Sequence, residues 1–120
     1  MVINPDRLQE VAMGDEDFLK ELIELYLNDA PTQLESLAQA VSSKDLSAVS
    51  AAAHKLKGSC GNVGADDLVS LCQKLEASGR ASRLEELPEL IQQASQEFQK
   101  VSKALQGVVT GTPPEMKESR

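Results

Sequence analysis

Apolar residues in this chain recur at steps of three and four, the spacing of one face of an α-helix. No stretch alternates with period two between hairpin-type turns, so strands are not expected. A short first helix is predicted from Pro5, in its first turn, to Ala12, closed by Gly14. Asp15 suits the N-cap of a long second helix, with Glu16 and Asp17 in the first turn, where the helix dipole favours acids. Its seam reads Leu19, Ile23, Tyr26, Ala30, Leu34, Leu37 and Val41. Pro31 lies inside that seam and removes a backbone donor, which predicts a bend or a split. After a loop at Ser42-Ser43-Lys44, Asp45 caps a third helix carrying Leu46, Val49, Ala53, Leu56, Cys60 and Val63. That helix loosens around Gly61-Asn62-Val63-Gly64. A fourth is predicted from Ala65 to Ser78, with Gly79 as its stop. A fifth starts near Ser82, or closer to Pro88, and holds Leu84, Leu87, Ile91, Ala94, Phe98, Val101 and Leu105.

Four long amphipathic helices with short connections predict an all-α fold, an up-down-up-down four-helix bundle with a short extra N-terminal helix. Residues 1–106 form one domain on this reading. The composition shift at Gly107 marks 107–120 as a flexible C-terminal tail. Helix two also carries Phe18, Leu22, Leu25 and Leu27 outside its main seam. The first helix is expected to cover most of these, the alternative being an exposed docking patch.

Charge narrows the function. The 120 residues hold 19 Asp and Glu against 12 Lys and Arg, a net charge of −7. That balance argues against nucleic acid or an anionic membrane as partner. Phe18, Tyr26 and Phe98 are the aromatic residues, too few for a base-stacking platform. No apolar run reaches the ~18 residues of a membrane span, and the N-terminus lacks the shape of a signal peptide. A cytoplasmic location is expected. Cys60 and Cys72 fall on apolar helix positions and read as core side chains. With one His they assemble no zinc set, and no acid falls on the seams to build a carboxylate metal site. Neither metal nor cofactor is expected, and no nucleotide-binding pattern occurs.

The third helix departs from bundle rules at His54. On a helix turning ~100° per residue, His54 points more than ~90° from the centre of the apolar stripe, towards solvent. Its same-face neighbours are Ser50, Ala51, Lys57 and Gly58. Gly inside a helix costs ~1 kcal/mol relative to Ala, so Gly58 suggests clearance around the imidazole. No acid lies between Asp45 and Asp66, while Lys55 and Lys57 do. This local positive island in an acidic chain suits an anionic ligand or an acidic partner surface.

The run His54-Lys55-Leu56-Lys57-Gly58-Ser59-Cys60-Gly61-Asn62-Val63-Gly64-Ala65, followed by Leu68, Leu71-Cys72 and Leu75-Glu76, resembles the histidine-containing phosphotransfer (HPt) domain of two-component phosphorelays. The resemblance is tight over 54–76 and extends over about 3–106 in helix arrangement. It implies that His54 is a phosphoacceptor, taking a phosphoryl group from a receiver-domain aspartyl phosphate and passing it to another receiver. It further implies that Lys57 neutralises phosphoryl oxygens and that Glu76 hydrogen-bonds the ring's inner nitrogen. Gly58 would give clearance, Lys55 would add to the field, and Ser59 fits the motif without a firmer role. The implied partners are receiver domains of response regulators or hybrid sensor kinases, met by a monomer. The implied activity is that of a phosphocarrier, not an enzyme. Two rival readings are a helical adaptor that uses no phosphate and the phosphotransfer domain of a chemotaxis-type kinase.

Overall fold

The computed structural model describes residues 2–110, in which α1 (Pro5–Ala12), α2 (Glu16–Ser43), α3 (Leu46–Asn62), α4 (Asp66–Arg80) and α5 (Leu87–Thr110) follow one another, with a 3-10 turn at Leu84–Glu86 before α5. Short connections reverse the chain after each long helix. α3 packs on α2 and α4, and α5 closes the ring against the same two. This is the up-down-up-down bundle the sequence predicts. Among the described residues no helix is long and apolar enough to cross a membrane.

The helix ends show why the elements begin where they do. Asn4, Asp15 and Asp45 each turn a side-chain oxygen onto first-turn amides, Asp15 capping both Asp17 at 3.0 Å and Phe18 at 3.1 Å. Each cap satisfies donors that the helix itself leaves unpaired. α2 runs through Pro31 as one helix and on through Ser43, so the predicted split does not occur. Its end is set by Lys44, which adopts a left-handed φ of 58°.

Two glycines shape the α3–α4 hairpin. Gly64 has φ +71°, and a Cβ there would stand 2.7 Å from the Asn4 carbonyl oxygen. The Asn4 amide donates to the Gly64 carbonyl at 2.8 Å, tying the N-terminal segment to this corner. Gly79, expected to stop α4, instead lies buried within it. A Cβ at Gly79 would lie 2.7 Å from Ser50 Oγ and 3.2 Å from the Leu46 carbonyl oxygen. The missing side chain therefore lets α3 and α4 approach closely. The left-handed residue that ends this region is Ser82, at φ 58°.

The core is built from Ile23, Leu37, Val49, Leu56, Leu68, Leu75, Leu87, Val101 and Leu105, all fully buried. Cys60 and Cys72 are buried free thiols, and the Tyr26 hydroxyl lies 3.3 Å from Cys60 Sγ. Tyr26 also packs its ring against Phe98, with centroids 6.1 Å apart. Burial pushes the Tyr26 hydroxyl pKa well up, so it remains a neutral partner in the core.

Three expectations need correction. Leu84 belongs to the 3-10 turn and is exposed, because α5 begins at Leu87 and only then follows its seam. α5 continues through a buried Gly107 to Thr110, beyond the predicted domain end at 106. The rest of the predicted flexible tail, 111–120, lies outside the described residues. Finally, α1 covers less of α2 than expected. Leu22 and Leu27 are half-buried, while Phe18 and Leu25 stay exposed, with Met13 beside Phe18 at the rim of a shallow acidic cleft.

Candidate functional site

α3 presents His54 in mid-helix, where the apolar stripe of Val49, Ala53, Leu56 and Cys60 fixes the rotation of the helix against the core. The imidazole is consequently 69% exposed. Gly58, one turn on, is exposed, and a Cβ built there meets nothing within 4 Å. Gly58→Ala should accordingly raise stability by up to ~1 kcal/mol with little effect on access to the ring. Gly58→Gln should place a long side chain beside the imidazole and slow transfer. Urea melts and single-turnover transfer assays check the two halves separately, and unimpeded transfer by Gly58→Gln would leave the clearing without functional meaning.

Beneath the ring lies Glu76 of α4, whose side chain is only 7% exposed. Three cationic or ring groups converge on it. His54 Nδ1 is 3.1 Å from Oε2, Lys57 Nζ donates to Oε1 at 2.9 Å, and Arg80 Nη2 donates to Oε2 at 2.9 Å. The backbone helps to fix the pair of helices at this level, since Ser50 Oγ donates to the Glu76 carbonyl at 3.3 Å. A buried carboxylate is tolerated only when its oxygens are paired, and here both are.

The hydrogen bond from Lys57 is the main cause that holds Glu76 below the ordinary carboxylate range, against burial, which pushes it up. The positive charges of Lys57 and Arg80 and the nearby His54 add to the lowering. An ionised carboxylate accepts only, so the hydrogen bond to the ring requires a proton on Nδ1. Nε2 is thereby left with its lone pair facing solvent.

A pH dependence follows from that lowered pKa. Ionised Glu76 contributes stability that is fully present above its unfolded value, about 4.3, and lost as pH falls through the lower folded value. Wild-type protein should therefore lose stability as pH falls below ~4.3, more steeply than Glu76→Gln. Denaturant melts at several pH values measure the difference, and parallel curves would contradict the pairing.

Lys57 does not stand free beside the ring. Its ammonium is engaged by Glu76, and its side chain is 27% exposed. Lys55 points away, into a shallow cleft between α2 and α3 lined also by Asp29, Thr32, Gln33, Ser36 and Ala52. Ser59 Oγ donates to Gln33 Oε1 at 3.1 Å, which ties α3 to α2. The positive island read from the sequence is therefore interrupted in space, by Glu76 from one side and Asp29 from the other. Arg80 and Gln33 are the two site neighbours that sequence reasoning missed. Arg80 was legible only as a cation four residues after Glu76, the spacing of an ion pair on one helix.

The Hpt domain family model matches residues 21–106 of this chain. The chain belongs to the Hpt domain family. Among curated relatives, histidine-containing phosphotransfer protein 2 of Arabidopsis thaliana is 30% identical over 96 residues, 78% of this chain. The matched region spans 62% of that relative's length. The crystal structure of histidine-containing phosphotransfer protein B from Pseudomonas aeruginosa PAO1 superposes with a TM-score of 0.86 at 29% identity, covering 91% of this chain and 95% of that one. The HPT domain of a sensor hybrid histidine kinase from Shewanella shares the fold, with a TM-score of 0.79 at 23% identity, over 92% of this chain and 95% of its own. The Hpt family match takes in α3, α4 and nearly all of α5, so His54 and Glu76 both lie within it. α1 and the first turn of α2 lie outside it.

Proposed function

We propose that this Hpt domain is a phosphorelay intermediate that carries a phosphoryl group on His54. The donor is the aspartyl phosphate of one receiver domain, and the acceptor is the aspartate of another. The observation that carries the reading is an exposed imidazole with its inner nitrogen bound to a buried carboxylate, 3.1 Å away. That arrangement leaves one nucleophilic nitrogen and presents it outward.

In the forward step the Nε2 lone pair attacks phosphorus. The N–P bond forms as the P–O bond to the donor aspartate breaks, and the carboxylate leaves with the electron pair. Nδ1 keeps its proton throughout, hydrogen-bonded to Glu76. The phosphorylated ring is then cationic, and in the onward step it departs as neutral imidazole, a far better leaving group than imidazolate. Glu76 thus acts as a positioning residue for both directions. The divalent metal and the reactive aspartate belong to the receiver, and this chain acts as a carrier, with no catalytic cycle of its own. On this reading it works as a monomer in the cytoplasm, and its partners belong to response regulators or hybrid sensor kinases.

Incubation with a panel of phosphorylated receiver domains tests the reading. Acid-labile, base-stable label on this chain is the expected result. Absence of label from every receiver, with the fold intact, would favour a plain helical adaptor.

A further inference from the structure

Ser50 and Gly79 meet one helical turn away from the contact between His54 and Glu76. Ser50 precedes His54 by four residues on α3, and Gly79 follows Glu76 by three on α4, so the two pairs form successive rungs between the helices. Ser50 Oγ lies 2.7 Å from where a Cβ at Gly79 would stand. The same hydroxyl donates to the Glu76 carbonyl at 3.3 Å, so it is bonded to the residue whose carboxylate binds the ring. Rotating it aside would break that bond. The next atoms in the way are the Leu46 carbonyl oxygen at 3.2 Å and the Ser50 nitrogen at 3.3 Å. Both are backbone and yield only if α3 and α4 move apart. His54 Nδ1 and Glu76 Oε2 stand 3.1 Å apart, near the long end of the ~2.7–3.2 Å range of such bonds, so even a small separation weakens theirs. Arg80, on α4 itself, donates to the same oxygen at 2.9 Å and keeps the carboxylate with its own helix.

We propose that Ser50 and Gly79 are positioning residues for phosphoryl transfer: their contact sets the α3–α4 spacing at which Glu76 reaches Nδ1 and keeps the reactive nitrogen outward. This rests on His54 being the phosphoacceptor. Both residues act through Glu76. The competing explanation is that Gly79 serves close packing and stability alone. Gly79→Ala replaces a glycine inside a helix by a better helix former, which offsets lost packing. Its defect should therefore appear in the ring and in transfer more than in the melt.

Six chains are compared: wild type, Gly79→Ala, Ser50→Ala, Ser50→Ala with Gly79→Ala, Glu76→Ala, and Glu76→Ala with Gly79→Ala. The 15N signals of the neutral imidazole report the tautomer. Single-turnover labelling by phosphoramidate reports the chemistry without a receiver, since Nε2 attacks phosphorus and ammonia leaves with the electron pair. Gly79→Ala should shift the 15N signals towards a mixture of tautomers and slow labelling about tenfold, the lower end of the loss for an orienting partner. Adding Ser50→Ala should recover part of the rate, because it vacates the nearest clash. Ser50→Ala alone should slow labelling less than Gly79→Ala does. In Glu76→Ala, adding Gly79→Ala should cost nothing further, because the route through the carboxylate is already gone. Wild-type 15N signals and labelling rate in Gly79→Ala, or an undiminished further loss in the Glu76→Ala background, would overturn the proposal. A wild-type chain that takes no phosphoryl group would overturn the phosphoacceptor reading instead, and the 15N signals still decide whether Ser50 and Gly79 set the tautomer.

Discussion

His54→Gln is expected to abolish phosphoryl labelling by receivers and by phosphoramidate while leaving the helical content unchanged. The effect is all or nothing because the chain has one His and the step needs an unprotonated ring nitrogen. The side chain is largely exposed, so the stability change should stay within about 0.5 kcal/mol. Gln retains an amide N–H that reaches towards Glu76, which limits the change further. Circular dichroism, a urea melt and a labelling gel suffice. Label on the variant would place the acceptor elsewhere.

Glu76→Ala should have the next largest effect, and it should act on two quantities at once. Without the carboxylate the imidazole loses its orienting partner and populates both tautomers, so the outward nitrogen carries the proton in part of the population. Loss of such an orienting partner typically costs ~10–100-fold in activity, and that is the expected fall in single-turnover transfer. The largely covered Lys57 side chain also loses its acceptor. Removing one member of a fully buried pair costs about 3–5 kcal/mol, but Lys57 and Arg80 retain access to water, so about 1–2 kcal/mol is expected here. Glu76→Gln should fall between wild type and Ala in transfer, since it offers an oxygen but no charge. Docking of an unphosphorylated receiver, measured by calorimetry, should be nearly unaffected by either change. A Glu76→Ala variant that transfers at the wild-type rate would detach the carboxylate from the chemistry.

Much of this could be read along the chain because helical bundles follow local rules. Asp15 and Asp45 announce their helices by residue type, and the seam of α3 fixes the direction in which His54 points. Each of those inferences depends on residues within a turn or two of one another. Glu76 shows where such reasoning stops. It flanks the Cys72–Leu75 stripe and, by type, reads as a solvated side chain. It is buried only because α3 lies so close, and that approach depends on Gly79 meeting Ser50 across two helices. By position Gly79 reads as a stop, the commonest use of a glycine near a helix end, whereas here it is needed for interhelical contact. The charge island around Lys55 and Lys57 was similarly one-dimensional. Asp29 and Glu76 are distant in sequence and adjacent in the fold. Along the chain Phe18 and Leu25 are within reach of α1, but eight residues of helix are too few to cover all of that face.

The most direct test is the position of the phosphoryl group on the ring. The phosphorylated chain, labelled with 15N in its one imidazole, should show a one-bond 31P–15N coupling at Nε2 and a protonated Nδ1, with the Nδ1 signal shifting in Glu76→Gln. Phosphorus on Nδ1, or an Nδ1 signal indifferent to Glu76, would contradict an outward-facing acceptor nitrogen held in place by the buried carboxylate.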